Sequence, residues 1–178
     1  MRKVILFLGE LEDEDIDWMV AFGKKRVLPR GTALIKEDDP IEALYIVLEG
    51  KLSVSLENQP DRVIAMLRVG EIVGELSYLD SRPPSATVRA HVDSVVMSVP
   101  RAQLEMKIAS EKDFAIRFYR GLGMILASRL RRTDRQLGQI RDGGDFDPDD
   151  EELDLDQLDA MSLAGARFRY ILKKLSGK

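Results

Sequence analysis

The residues best placed to do chemistry in this chain lie in one stretch, GEIVGELSYLDSRPPSATVRA at 70–90. Two glycines four apart, Gly70 and Gly74, punctuate a short apolar strand, and Gly74 is followed at once by Glu75-Leu76-Ser77-Tyr78-Leu79, the length of about one helical turn. A stiff loop, Arg82-Pro83-Pro84-Ser85, then leads into a second strand, Ala86-Thr87-Val88-Arg89-Ala90. Strand, tight glycine turn, one helical turn, loop and strand together form an anion cradle. The first N–H groups of a helix have no internal partner and point at whatever precedes them. The chemistry expected here is non-covalent capture of a phosphate.

This segment resembles the phosphate-binding cassette of the cyclic nucleotide-binding domain superfamily. Gly74, Glu75 and Leu76 match the Gly-Glu-Leu that opens the cassette, and Pro83, Ser85, Ala86 and Thr87 match most of the Pro-Arg-Ser/Ala-Ala pattern that closes it. The resemblance implies a ligand-binding set of Gly74, Glu75, Leu76, Ser77, Arg82, Pro83, Pro84, Ser85, Ala86 and Thr87, with Glu75 bonding a ribose hydroxyl. One position departs from it. Where the family carries the Arg that pairs with the cyclic phosphate, this chain has Pro84, which offers neither charge nor N–H. A charge-assisted contact of that kind is worth about 1.5–3 kcal/mol. Pro84 leaves the expected fold unchanged and removes the family's charged phosphate contact. Arg82, two residues earlier, is a candidate substitute; the alternative is a solvated loop arginine.

The stretches around the cassette must position it. With 178 residues, 44% hydrophobic and 33% charged, the chain is long enough for one domain with a real core. A net charge of −4 argues against a generally basic nucleic-acid surface. The absence of cysteine removes disulfides, thiolate metal sites and a cysteine nucleophile, and fits a cytoplasmic location. The opening apolar run Val4-Ile5-Leu6-Phe7-Leu8 is too short for a signal peptide or a membrane span and is expected to be a strand or a packed arm. Residues 11–23 suggest a short amphipathic helix ended by Gly23.

From Arg26 to Val99 the period changes to short β-runs broken by Gly and Pro every eight to twelve residues, the signature of a sandwich, jelly roll or barrel. The family resemblance extends over Pro29-Arg30-Gly31, Ile35 to Asp39 and Leu44-Tyr45-Ile46-Val47 to Gly50, with Asp38 in place of a turn glycine. Asp tolerates left-handed backbone, so that replacement is expected to be structural only. The expected fold is mainly β with flanking α: a cyclic nucleotide-binding-type β-roll, a double-stranded β-helix or jelly roll, followed by a long dimerisation helix. The divisions expected are the roll with its N-terminal arm and helix over 1–110, the long helix over 111–141, an acidic linker over 142–161 and a C-terminal amphipathic helix over 162–178.

On the long helix, Tyr119, Leu126, Thr133 and Ile140 recur at sevens, with Gly123, Leu130 and Leu137 between them, a seam suited to a parallel homodimer. Packing of the same residues back onto the roll is the alternative for its upper part. Ala127 to Gly138 resembles the dimerisation helix of catabolite activator-type proteins over its Ala-x-Arg-Leu and spaced Gly. That resemblance places Thr133 and Asp134 at purine-base contacts; a polar break that sets dimer register is the other reading. Only 37 residues follow Arg141 and nearly half of them belong to an acidic linker, Asp142 to Asp159, which leaves no room for the winged helix-turn-helix of those regulators, so no DNA-binding domain is expected. The cluster Arg129, Arg131, Arg132, Arg135 and Arg141 is expected to be a solvated face, or a partner for the acidic linker. Within the linker, Asp145, Asp147 and Asp149 have calcium-loop spacing, but Asp150 and Asp156 stand where Gly and a bidentate Glu are needed. The terminal stripe Leu163, Phe168, Ile171, Leu172 and Leu175 is suited to docking on its own protein, with an unknown protein partner as an alternative; a membrane surface is disfavoured.

No catalytic residue is expected. A metal jelly roll needs three or four His and Glu ligands, and this chain has a single His, His91, expected on a strand. No metal site and no resident cofactor are expected, only a cyclic nucleotide or related ligand. The reading is a non-catalytic regulatory sensor signalling through its dimer helix and tail. A ligand-free scaffold acting through protein contacts is the alternative, and a DNA-binding regulator is disfavoured.

Overall fold

The computed structural model describes residues 2–141 and 158–176, with side chains over 6–131, 133–134 and 163–175. The calcium-like spacing in the linker and the pairing of that linker with the arginines fall outside the described residues.

Among the described residues eight strands form two antiparallel four-stranded sheets. One contains β1 (Lys24–Leu28), β8 (Ser94–Pro100), β3 (Ala43–Glu49) and β6 (Ile72–Val73) in that spatial order. The other contains β2 (Ala33–Ile35), β7 (Thr87–Ala90), β4 (Lys51–Leu56) and β5 (Gln59–Arg68). Between them lies a core of Leu28, Tyr45, Val47, Leu52, Val88 and Val96, among others. The run Ala43–Leu48 is apolar at almost every position because β3 is covered on both faces. Tyr45 and Val47 point into the roll, while Leu44, Ile46 and Leu48 face a second core built with the helices. β4 alternates in sequence, with Leu52 fully buried in the roll and Val54 packed against the same core, while on its other face Lys51 is exposed and Ser55 is buried. These are the strands and turns expected from the short β-runs.

Among the described residues six helices flank the roll: α1 (Arg2–Glu10), α2 (Asp13–Phe22), α3 (Glu75–Asp80), α4 (Arg101–Ser110), α5 (Lys112–Arg141) and α6 (Leu158–Ser176). The opening segment is not a strand. It is a packed helix, as the packed-arm alternative allowed: Phe7 and Leu8, both fully buried, lie in the core that α1 shares with α5 and α6. Its approach to α5 is close: Phe7 meets Phe118 edge-to-face at 5.6 Å, and a Cβ on Gly121 would lie 2.8 Å from the Phe7 ring. The two helices pack at a contact only glycine permits.

α6 begins at Leu158, four residues earlier than expected, and docks on the chain itself. Ala164, Phe168, Ile171 and Leu175 are buried, Arg167 binds Asp13 at 2.9 Å and the Leu8 carbonyl at 2.8 Å, and Tyr170 donates to Asp17 at 2.5 Å. The apolar stripe once available to a protein partner is therefore largely occupied, with Leu163 half exposed. His91 is exposed in the turn after β7 rather than on a strand.

Left-handed backbone appears where the turns need it. Asp38 adopts φ 64°, as its place in a glycine turn required. Gly50, between β3 and β4, has φ 83°, and a Cβ there would stand 2.3 Å from Ser94 Oγ and 2.5 Å from the Asp93 carbonyl. Gly50→Ala combines backbone strain with overpacking and is expected to cost about 2–4 kcal/mol. A urea titration showing a midpoint within error of the parent would overturn this.

Candidate functional site

The cassette hangs between the two sheets. β6 pairs with Tyr45 and Ile46 of β3, and the preceding turn is pinned by Gly70 N–H to the Val47 carbonyl at 2.8 Å and Val47 N–H to the Glu71 carbonyl at 2.9 Å. Gly74, at φ 93°, turns the chain into α3, where Tyr78 N–H donates to the Gly74 carbonyl at 3.1 Å. A glycine is required there: its Cβ would press Ile41 at 3.1 Å and the Ala43 carbonyl at 3.3 Å, in a conformation side chains rarely adopt. After α3, Ser81 is also left-handed, and the loop 82–85 is tied down by Asp38 N–H to the Pro84 carbonyl at 3.0 Å.

This arrangement encloses a cavity of about 510 Å³. Its walls are mostly apolar, with Ile35, Val54, Val73 and Val88 from the sheets. Its polar groups are Glu75, Ser77, Asp80, Arg82, Ser85, Arg129 and Thr133. Formal charge balances, two carboxylates against two guanidiniums. Nine of the ten expected ligand-binding residues line it: Gly74, Glu75, Leu76, Ser77, Arg82, Pro83, Pro84, Ser85 and Ala86.

Thr87 does not. It is fully buried on the other face of β7, where its hydroxyl accepts from Glu37 N–H at 3.0 Å and donates to the Glu57 carboxylate at 2.7 Å. Strand side chains alternate, so with Val88 facing the cavity, Thr87 must face away. Of the two base-contact candidates, Thr133 lines the cavity and bonds the Arg129 carbonyl at 3.2 Å, whereas Asp134 is exposed and outside the lining.

The central feature is one that the periodicity of α5 concealed. Arg129, grouped by sequence with a solvated basic face, turns inward. Its guanidinium bonds the Glu75 carboxylate and also donates to the Ile72 carbonyl at 2.6 Å. Glu75 is 2% exposed, so this is a buried charge met by a charge from the long helix. The available signal was Ala127-x-Arg129-Leu130, which singled out that arginine but not its partner. Arg82 has no such anchoring: its side chain is 83% exposed and lies 3.9 Å from Asp80. Tyr78, on the far side of α3, is pushed up to about 12 by burial, with Tyr119 and Glu105 adding to the effect, so its hydroxyl stays protonated.

On α5, Phe114, Phe118, Leu122 and Ile125 form the inward stripe. Tyr119, Gly123 and Leu130 of the expected seam are exposed, and Leu126 is half-buried. Leu137 and Ile140 lie on α5 with side chains outside the described set. Among the described residues, no group of three or more His, Cys, Asp or Glu is arranged to hold a metal, and no helix is long and apolar enough to cross a membrane.

Residues 25–111 match the family model for the cyclic nucleotide-binding domain. The roll, with its inserted cassette, is therefore a domain of the cyclic nucleotide-binding superfamily. The cyclic AMP receptor protein of Thermus thermophilus is 32% identical over 140 residues, 77% of this chain and 62% of the relative. The CRP-like cAMP-activated global transcriptional regulator of Mycobacterium tuberculosis is 28% identical over 115 residues, 63% of this chain and 49% of the relative. The chain thus spans about half to three fifths of the length of these relatives. In fold it is similar to a cyclic nucleotide-binding domain from Methylobacillus flagellatus, with TM-score 0.67, 24% identity, and 76% of this chain and 82% of that one covered.

Proposed function

We propose that this protein is a non-catalytic sensor that takes a cyclic nucleotide, or a related phosphate-bearing small molecule, into the cavity behind α3. Glu75 carries the proposal. A buried carboxylate on the first turn of the cassette helix, facing an apolar cavity and held by an arginine of α5, suits recognition of a sugar hydroxyl. The phosphate would be met by the backbone of the cassette, Ser85 and Arg82. Ligand that alters the Glu75–Arg129 pair biases α5, and a second copy of the chain on the exposed face bearing Tyr119, Gly123 and Leu130 would receive that change. Pro84 favours a second reading, a scaffold that keeps the fold without the ligand.

Calorimetric titration with cyclic AMP and cyclic GMP separates the two. Saturable micromolar binding, abolished by Glu75→Ala, is the expected result; no heat with either nucleotide up to millimolar, from a folded protein, would establish the scaffold. Pro84→Arg is expected to tighten binding at least tenfold, since a charge-assisted pair exceeds the roughly 1.4 kcal/mol that a decade requires. An unchanged affinity would show that the anion side of the cavity is formed elsewhere.

A further inference from the structure

Arg101 opens α4, outside the cavity lining, yet three of its contacts run to the far end of α3. Its Nη1 donates to the Ser77 carbonyl at 3.2 Å, its Nη2 to Ser81 Oγ at 3.4 Å, and its guanidinium lies 5.3 Å from the centre of the Tyr78 ring. Its own position is fixed. The Arg101 N–H donates to the Glu42 carbonyl at 2.8 Å, and its Nε binds Glu105 one turn along α4 at 2.7 Å.

The residues it grips are those that decide where the anion side of the cavity stands. Ser77 lines the cavity, and Ser81 is the left-handed hinge, φ 57°, from which Arg82-Pro83-Pro84-Ser85 departs. A six-residue helix has little stability of its own, so its end is placed by what holds it. A planar guanidinium holds a carbonyl and a hydroxyl in a fixed fork while lying flat on a ring; an ammonium, a point charge on a flexible stem, holds them less firmly.

We propose that Arg101 is a positioning residue of the ligand site: it sets the height of the α3 end and of the 82–85 loop, and through them the affinity of the cavity for its anionic ligand. The affinity part of this rests on the sensor reading; the positioning part does not.

The test compares the parent with Arg101→Gln and Arg101→Lys by hydrogen exchange and by titration with cyclic AMP and cyclic GMP. Without ligand, Arg101→Gln is expected to speed amide exchange across 76–85 at least tenfold, while the amides of β3 and β8 keep their parent rates. Arg101→Lys should recover only part of that protection. With nucleotide, Arg101→Gln should raise the Kd at least tenfold. Exchange at 76–85 that is unchanged in Arg101→Gln overturns the positioning role, whether or not nucleotide binds. Accelerated exchange with an unchanged Kd overturns the link to affinity. Exchange accelerated equally in β3 and β8 marks a general stability effect and also overturns it. A parent that binds neither nucleotide overturns the sensor reading and the affinity link with it, while the exchange comparison still decides the positioning role.

Discussion

Arg117→Ala is expected to destabilise the protein by about 3 kcal/mol, the lower end of the range for breaking a buried ion pair. With a chain of this size, that is about 6–12 °C in Tm. Arg117 of α5 reaches α2, where its Nε and Nη2 bind the two oxygens of Asp15 at 2.7 and 3.0 Å, and its Nη1 lies 3.3 Å from Glu12. Asp15 is 1% exposed, and its carboxylate also accepts the Glu12 N–H at 2.8 Å, closing the first turn of α2. Burial alone would raise the Asp15 pKa, but the bonds from Arg117 and from the Glu12 backbone, with the Arg117 and Lys107 charges, outweigh it and hold the carboxyl below its ordinary value of 3.8. The sign follows. A lowered folded-state pKa gives stability that is fully present above the unfolded value and is lost as pH falls through the folded one. The difference in stability between parent and Arg117→Ala should therefore be full at neutral pH and shrink as pH falls, starting where Asp15 of the variant, no longer held down by Arg117, takes up its proton and ending below 3.8, where Asp15 of the parent does. Urea unfolding at pH 7 and at a series of acidic values measures it. A difference that is constant with pH would show that Arg117 acts by packing rather than by charge.

Arg129→Ala is the second large effect, and it falls on stability and site together. Removing the guanidinium takes a charged partner from a carboxylate that is 2% exposed, at a cost of about 3 kcal/mol. It also removes the tie between the cavity and α5, so nucleotide affinity should fall at least tenfold. A stability loss alone does not identify the pair, and a cycle with Glu75→Gln does. An amide needs no counter-charge, so the double variant should be more stable than the sum of the single losses predicts, by about 1 kcal/mol or more. Strict additivity in the cycle would mean that the two side chains do not act on each other.

The contrast between these two pairs and the rest of the molecule separates what the chain shows locally from what it hides. The roll was legible because most strands advertise themselves within a few residues: apolar or alternating runs of strand length, with Gly or Asp at every left-handed turn but the one at Ser81. Asp38 and Gly74 adopt the conformations their residue types permit. α4 and α5 lie within a residue or two of where their pattern placed them. Nine of ten cassette residues line the cavity for the same reason, since strand, turn and helix follow one another without a break.

Contacts between distant segments carry no such signature. Glu75 and Arg129 are 54 residues apart, and Asp15 and Arg117 are 102 apart. Nothing in either local pattern tells a buried arginine from a solvated one. The opening apolar run had no period long enough to separate strand from helix, and the packing of Phe7 and Leu8 against α5 and α6 settled it. Thr87 matched a motif, but strand alternation, set by the register of β7 on β4, turned it away from the ligand side.

By itself, then, the sequence determined the superfamily, the order of the elements and the cassette, because these are written in spacings of two, three and four residues, which the backbone reads directly. Tertiary structure alone decided which charges meet in the interior, which face of each strand looks into the cavity, and that the C-terminal helix closes over the N-terminal one. Those outcomes depend on burial, which belongs to no single segment.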